Sequence, residues 1–129
     1  MKVSHIQIRK LEIPFNVGFQ HASAARNATE SVLVVADSRS GNTGYGEGCP
    51  RSYVTEESIE SAIAFFDKHK ASIQVIEEFE ELRLWMEAQR AGIDVNPAAW
   101  CAIELALLDL LGKEQSQSVE ELLSLPLLT

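Results

Sequence analysis

Cysteine is scarce. Cys49 and Cys101 are the only two in 129 residues, they form no C-x-x-C pair, and neither has a neighbouring histidine. That spacing excludes a zinc site and reads as two reduced thiols in a cytoplasmic protein. Basic residues are also few, 11 Lys and Arg against 19 Asp and Glu, for a net charge of -8. A phosphate backbone is bound by clustered cations, so nucleic acid is excluded as a partner. No apolar leader follows Met1-Lys2, and His5, Arg9, Lys10 and Glu12 interrupt the first segment. Secretion and a membrane partner are therefore not expected, and the Asn27-Ala28-Thr29 sequon is read as chance. Internal repeats and low-complexity stretches are missing too. What is present, 46% hydrophobic and 23% charged residues, is the composition of one globular domain with a real core.

The chain is organised around Ser31 to Gly48, which reads as a β-hairpin. Val32, Val34 and Ala36 fall on one strand face and Leu33 and Val35 on the other, so both faces are expected to be covered. Asp37, Ser38, Ser40, Gly41 and Asn42 supply a turn, and Thr43-Gly44-Tyr45-Gly46-Glu47-Gly48 returns as a strand. Its glycines alternate, which leaves one face bare for close approach of another backbone.

Before the hairpin, Lys2 to Ile13 alternates as a strand that Pro14 ends, and Phe15 to Glu30 reads as a long loop. After it, Cys49 to Val54 is irregular. Thr55 is expected to cap a first helix, with Glu56 and Glu57 at its positive end and Ile59, Ala62, Ile63 and Phe66 buried. A second helix spans Ile76 to Arg90, with Phe79, Leu82, Trp85 and Met86 inward and Gly92 closing it. Asn96 caps a third with Pro97 in its first turn, and Gly112 ends it. A short helical piece is expected around Val119 to Leu123. The fold class is α+β, a three-stranded antiparallel meander sheet followed by a three-helix bundle. The third helix is apolar on more faces than so small a sheet can cover. Homo-oligomers are therefore expected, burying Trp100, Ile103, Leu107 and Leu111.

Three pieces, in this order, are similar to the N-terminal capping domain of the enolase superfamily, in its mandelate racemase and muconate lactonizing enzyme branch. They are Thr29-Glu30-Ser31-Val32-Leu33-Val34, the strand from Thr43 to Gly48, and the helix Ala102 to Lys113 with its A-I-E-L-A-L-L-D-L-L-G-K pattern. The resemblance implies a capping domain over residues 1–112 and a tail, 113–129, that leads toward a (β/α) barrel not contained in the chain. It also implies a reaction for the whole enzyme: abstraction of the proton α to a carboxylate, with the enediolate stabilised on Mg²⁺ at barrel strand ends. After the capping domain this sequence offers no Lys-x-Lys base motif, and it has no spaced Asp, Glu, Glu triad. No catalytic residue, metal ligand or cofactor is therefore assigned to it, and a small carboxylate would be a partner only together with a barrel.

The same resemblance implies two substrate-facing loops. Phe19 and His21 lie in the first, with Arg26, and Arg51 and Tyr53 in the second. Read without it, each is an exposed loop residue; read with it, Phe19 offers apolar contact, His21 and Tyr53 hydrogen bonds, and Arg51 a partner for a carboxylate. Glu47 is read as a structural acceptor, Glu104 and Asp109 as interdomain or capping contacts, the acids from Glu77 to Glu81 as a solvated helix face, and Trp85 and Trp100 as core. Two function classes follow: the specificity domain of an isomerase or lyase, and a stand-alone binding module that kept the fold. The reading frame after Thr129 separates them.

Overall fold

The computed structural model describes residues 1–21 and 24–126, with the backbone alone over 15–21 and 24–29. Three strands, β1 (Val3–His21), β2 (Ala24–Ser38) and β3 (Thr43–Gly48), form an antiparallel sheet in the order β1-β2-β3. Helices α1 (Ile59–Gln74), α2 (Phe79–Ala88), α3 (Arg90–Asp94), α4 (Pro97–Gln115) and α5 (Val119–Leu122) follow. The α+β meander-then-helices fold is thus as expected, with α5 where a short helical piece was expected and α3 as a short addition to the three main helices.

The first strand is longer than its sequence indicates. Pro14 does not end it but pairs with Ala28, and the stretch expected as a loop, Phe15 to Glu30, is largely paired backbone, with Phe19 opposite Arg26 and His21 opposite Ala24. A proline is tolerated because β1 is an edge strand, where a missing donor need not break a ladder. An irregularity in register falls between Pro14 and Phe19.

Period-2 alternation sorts the sheet into two faces. Ile6, Val32, Val34 and Ala36 are fully buried under the helices, whereas Leu33 and Val35 on the opposite face are only half-buried. The helices cover one face alone, so the expectation of two covered faces fails here. The glycine stripe does what its spacing implies. A Cβ on Gly44, Gly46 or Gly48 would stand 2.2, 2.0 or 2.1 Å from the carbonyl oxygens of Ala106, Ala102 and Ala98. Two strand residues rise about 6.8 Å and four helix residues about 6.0 Å, so the two backbones run alongside each other in step.

Next to that row on α4 lies a second, Cys101, Asp109 and Lys113, which runs along the outer edge of β3. The Tyr45 amide donates to Asp109 Oδ2 at 2.9 Å, Lys113 Nζ donates to the Thr43 carbonyl at 2.6 Å and to Asp109 at 3.0 Å, and Cys101 Sγ lies 3.9 Å from the Glu47 carbonyl. An edge strand's unpaired backbone is thereby satisfied by a helix instead of being left as a template for another chain.

Several helix boundaries differ from expectation. Ser58, not Thr55, caps α1, through a reciprocal box with Ser61. Gly92 lies within α3, and Gly112 within α4, which runs on to a left-handed C-cap at Ser116. The surface expected to self-associate is internal: Ile103 and Leu107 are 0% exposed, Leu111 1% and Trp100 6%. The sheet, α1, α3 and α5, with Trp85 of α2 stacked on Trp100, cover the third main helix on most of its faces, so its apolar surplus is absorbed within the chain.

Candidate functional site

The end of β1, the start of β2 and the end of β3 come to one end of the sheet, because antiparallel pairing sets Val32 opposite Gly48 and Glu30 opposite Glu12. The β1–β2 hairpin projects beyond β3 there and carries Phe19 and His21. The side chains of these two, and of Arg26, lie outside the described residues.

Residues 49–58 leave β3 at the same end and fold back against the hairpin's base. Arg51 Nη1 donates to the Glu30 carbonyl and, at 2.8 Å, to that of Pro50. The guanidinium therefore clasps the irregular segment to β2 at Glu30, where the hairpin leaves the three-stranded part of the sheet, a use that its sequence position does not reveal. Beside it opens a cleft of about 260 Å³, lined among others by Lys10, Glu30, Arg51, Tyr53 and Ser58. Tyr53 is 41% exposed on its rim. Lys10 and Arg51 give this wall two cations and Glu30, Glu57 and Glu60 three carboxylates, while the phenol and Ser58 add hydrogen-bonding groups, so only a group set directly against the two cations could be paired as an anion here. The structure thus brings Arg51 and Tyr53 together.

The residue that fixes the segment is one that sequence analysis assigned elsewhere. Glu57 is 2% exposed, and its two carboxylate oxygens accept from the amides of Ala98 at 2.9 Å and Ala99 at 3.1 Å. It caps α4 rather than α1. Pro97 opens α4, and the Asn96 side chain turns away to donate to the Gly92 carbonyl at 3.0 Å, so the next two amides need an outside acceptor. Glu56 makes the turn that delivers it, at φ 61, a left-handed conformation uncommon for a side chain of this kind. An orphaned helix start after Asn-Pro was the available signal, but nothing local names the acceptor.

The remaining acids have structural uses. Glu47 accepts from the buried Ser31 hydroxyl, as expected. Glu104 accepts from Trp100 Nε1 at 3.0 Å, and Asp109 holds the sheet edge. On α2, Glu80 and Glu87 pair with Arg83 at 2.6 and 2.8 Å on the exposed face. Among the described residues no three of His, Cys, Asp and Glu converge as ligands of a metal ion. Glu57, the acid deepest in this region, is committed to two amides, so these residues do not fit a Mg²⁺ site. No described helix is long and apolar enough to cross a membrane.

This architecture has close counterparts. Residues 4–124 match the family model of the mandelate racemase / muconate lactonizing enzyme N-terminal domain. An L-Ala-D/L-Glu epimerase of Clostridium acetobutylicum is 30% identical over 126 residues, 95% of this chain and 34% of that protein. An N-succinyl-L-Arg/Lys racemase of Bacillus cereus is 28% identical over 127 residues, 95% of this chain and 33% of that protein. Among solved structures, a dipeptide epimerase of Methylococcus capsulatus complexed with Mg and the dipeptide L-Arg-D-Lys superposes with a TM-score of 0.80 at 24% identity, over 95% of this chain and 35% of that one. At that identity the superposition speaks for the fold. The chain spans about a third of the length of the curated relatives it matches. With its meander sheet, its glycine strand under α4 and a family match over nearly its whole length, the chain belongs to the mandelate racemase / muconate lactonizing enzyme family, as an N-terminal domain.

Proposed function

We propose that this domain selects substrates for an enzyme that abstracts the proton α to a carboxylate, and that it does so from the sheet end where the hairpin and residues 49–58 meet. The observation that carries the proposal is the Arg51 clasp, which holds the second segment against the base of the first and leaves a polar cleft between them, in which Lys10 and Arg51 stand among the carboxylates of Glu30, Glu57 and Glu60. In this reading residues 113–129 lead into a barrel domain. That domain holds Mg²⁺ and the catalytic base, in the cytoplasm, and assembles with further copies. The substrate is a small carboxylate, for which the compounds in the relatives' names, L-Ala-D/L-Glu and N-succinyl-L-Arg/Lys, are the guide. Phe19 contributes apolar contact, His21 and Tyr53 hydrogen bonds, and Arg51 charge. Discrimination of this kind changes which substrate is turned over, not the chemistry.

The test joins residues 1–129 to the barrel of a relative and compares kcat/KM across carboxylate substrates that differ in side group. His21→Ala and Arg51→Ala are expected to change the preference among them by about 2–5 kcal/mol where a buried charged contact is lost. Arg51→Lys separates the two uses of the arginine, since it keeps the charge but not the paired carbonyl bonds. Equal loss for every substrate in all three variants would mean a lid without selectivity.

A further inference from the structure

We propose that Cys49 and Cys101 are a dithiol that a small-molecule disulfide closes into an intramolecular bridge, stapling the end of β3 to α4. The two are far apart in sequence, and the fold brings them to one seam. Gly48 lies so close to α4 that a Cβ there would stand 2.1 Å from the Ala98 carbonyl oxygen and 3.3 Å from the Ala102 Cβ. Cys49 follows Gly48 and Cys101 precedes Ala102. The Cys101 sulfur already points at β3, 3.9 Å from the carbonyl of Glu47, two residues before Cys49. Both cysteines are exposed, so a soluble reagent can reach them. Cys49 begins the irregular segment and is released from the strand ladder, which gives its backbone the freedom a bridge needs; Cα atoms must come to about 4.4–6.8 Å.

The order of events follows from the surroundings of the thiols. Partial burial, then the Glu104 carboxylate, then Cys49 itself push the Cys101 thiol up, so at a given pH less of it is thiolate. The Cys49 thiolate attacks oxidised glutathione, forming a Cys49–glutathione bond and expelling one glutathione thiolate, which takes up the proton Cys49 lost. Cys101 then gives up its proton and attacks the Cys49 sulfur, forming the bridge and expelling the second glutathione. The chain loses two electrons and two protons, and one oxidised glutathione becomes two reduced molecules. The bridge would hold residues 49–58 to α4 beside the Arg51 clasp, so the state of the thiols would govern how far that segment can move.

The experiment is intact-mass measurement of the folded chain after incubation with oxidised glutathione, followed by proteolytic mapping without reductant. The expected product is lighter by two hydrogens, carries no glutathione, yields one peptide pair joined through Cys49 and Cys101, and returns to the starting mass with dithiothreitol. Cys49→Ser and Cys101→Ser should each instead retain one glutathione. Glutathione retained on the unsubstituted chain, a bridge between two chains, or no reaction at either thiol would overturn the proposal. Far-UV circular dichroism of both variants verifies that a change in product comes from the missing thiol and not from unfolding.

Discussion

At the scale of single residues, the side chains with most influence are those whose partners lie far along the chain. Glu57 is an acid of ordinary sequence context, yet it satisfies the first free amides of α4 from 41 and 42 residues away. Removing it leaves one buried and one half-buried donor without an acceptor, and Glu57→Ala should lower stability by about 2–4 kcal/mol, read as a shift in urea midpoint. A loss below about 1 kcal/mol would mean that water replaces the carboxylate. His69 has a different dependence. Its ring stands 4.6 Å from Phe65 and edge-on to Trp85 at 5.2 Å, and Trp85 in turn stacks on Trp100 at 5.1 Å. Burial, and secondly the Lys68 ammonium, hold this imidazole below its ordinary value of 6.5. Because the folded state takes up the proton less readily than the unfolded one, His69 costs nothing above pH 6.5 and stability is lost as pH falls from there through the folded-state value. Melting temperatures across that interval should decline, with a smaller slope in His69→Gln; identical slopes would place the effect on other groups.

At the scale of elements, the pairing of β3 with α4 shows what sequence could and could not convey. Alternating glycines at 44, 46 and 48 announced a close approach, and the apolar length of α4 announced burial on several sides. Both are local patterns, and both held. Identifying which helix fills the stripe required the row of every fourth residue, Ala98, Ala102 and Ala106, to be matched against it, a relation between segments that no window contains. The same distinction explains the errors. Pro14 looks like a terminator because local chemistry cannot say that its strand is an edge, and Asn96 looks like a cap because it cannot say that Glu57 arrives first. Of the site, Arg51 and Tyr53 were legible as a pair near a strand end, whereas the carbonyls that Arg51 clasps come from another strand. Gly46→Ala tests the pairing directly. Its new methyl would sit 2.0 Å from the Ala102 oxygen, backbone that cannot yield without shifting α4, so a loss of at least about 3 kcal/mol is expected. Gly41→Ala is the control, since nothing lies within 4 Å and only its φ of +96 opposes a side chain, at about 1–2 kcal/mol. Equal costs at the two positions would refute the close-packing account.

At the scale of the whole molecule, the asymmetry of the sheet is the leading feature. One face is sealed by helices, while the other presents Ile13 and Tyr45, both more than half exposed, beside the half-buried Leu33 and Val35. The acids, by contrast, are spread over helix surfaces and structural bonds. Mg²⁺ should therefore bind only weakly and in a salt-sensitive way, and calorimetry in raised salt should show no saturable heat; one tight site would place metal ligands in this domain after all. Segment 49–58 is fixed at both ends to the same first turn of α4, by Gly48 on Ala98 at one end and by Glu57 on Ala98 and Ala99 at the other. It is an arch with both feet on one foundation. Such an arch does not swing from a single pivot; it can only change its curvature, or lift when one foot lets go. Any displacement of the first turn of α4 would therefore be felt at both feet at once, and through them at the cleft beside Arg51.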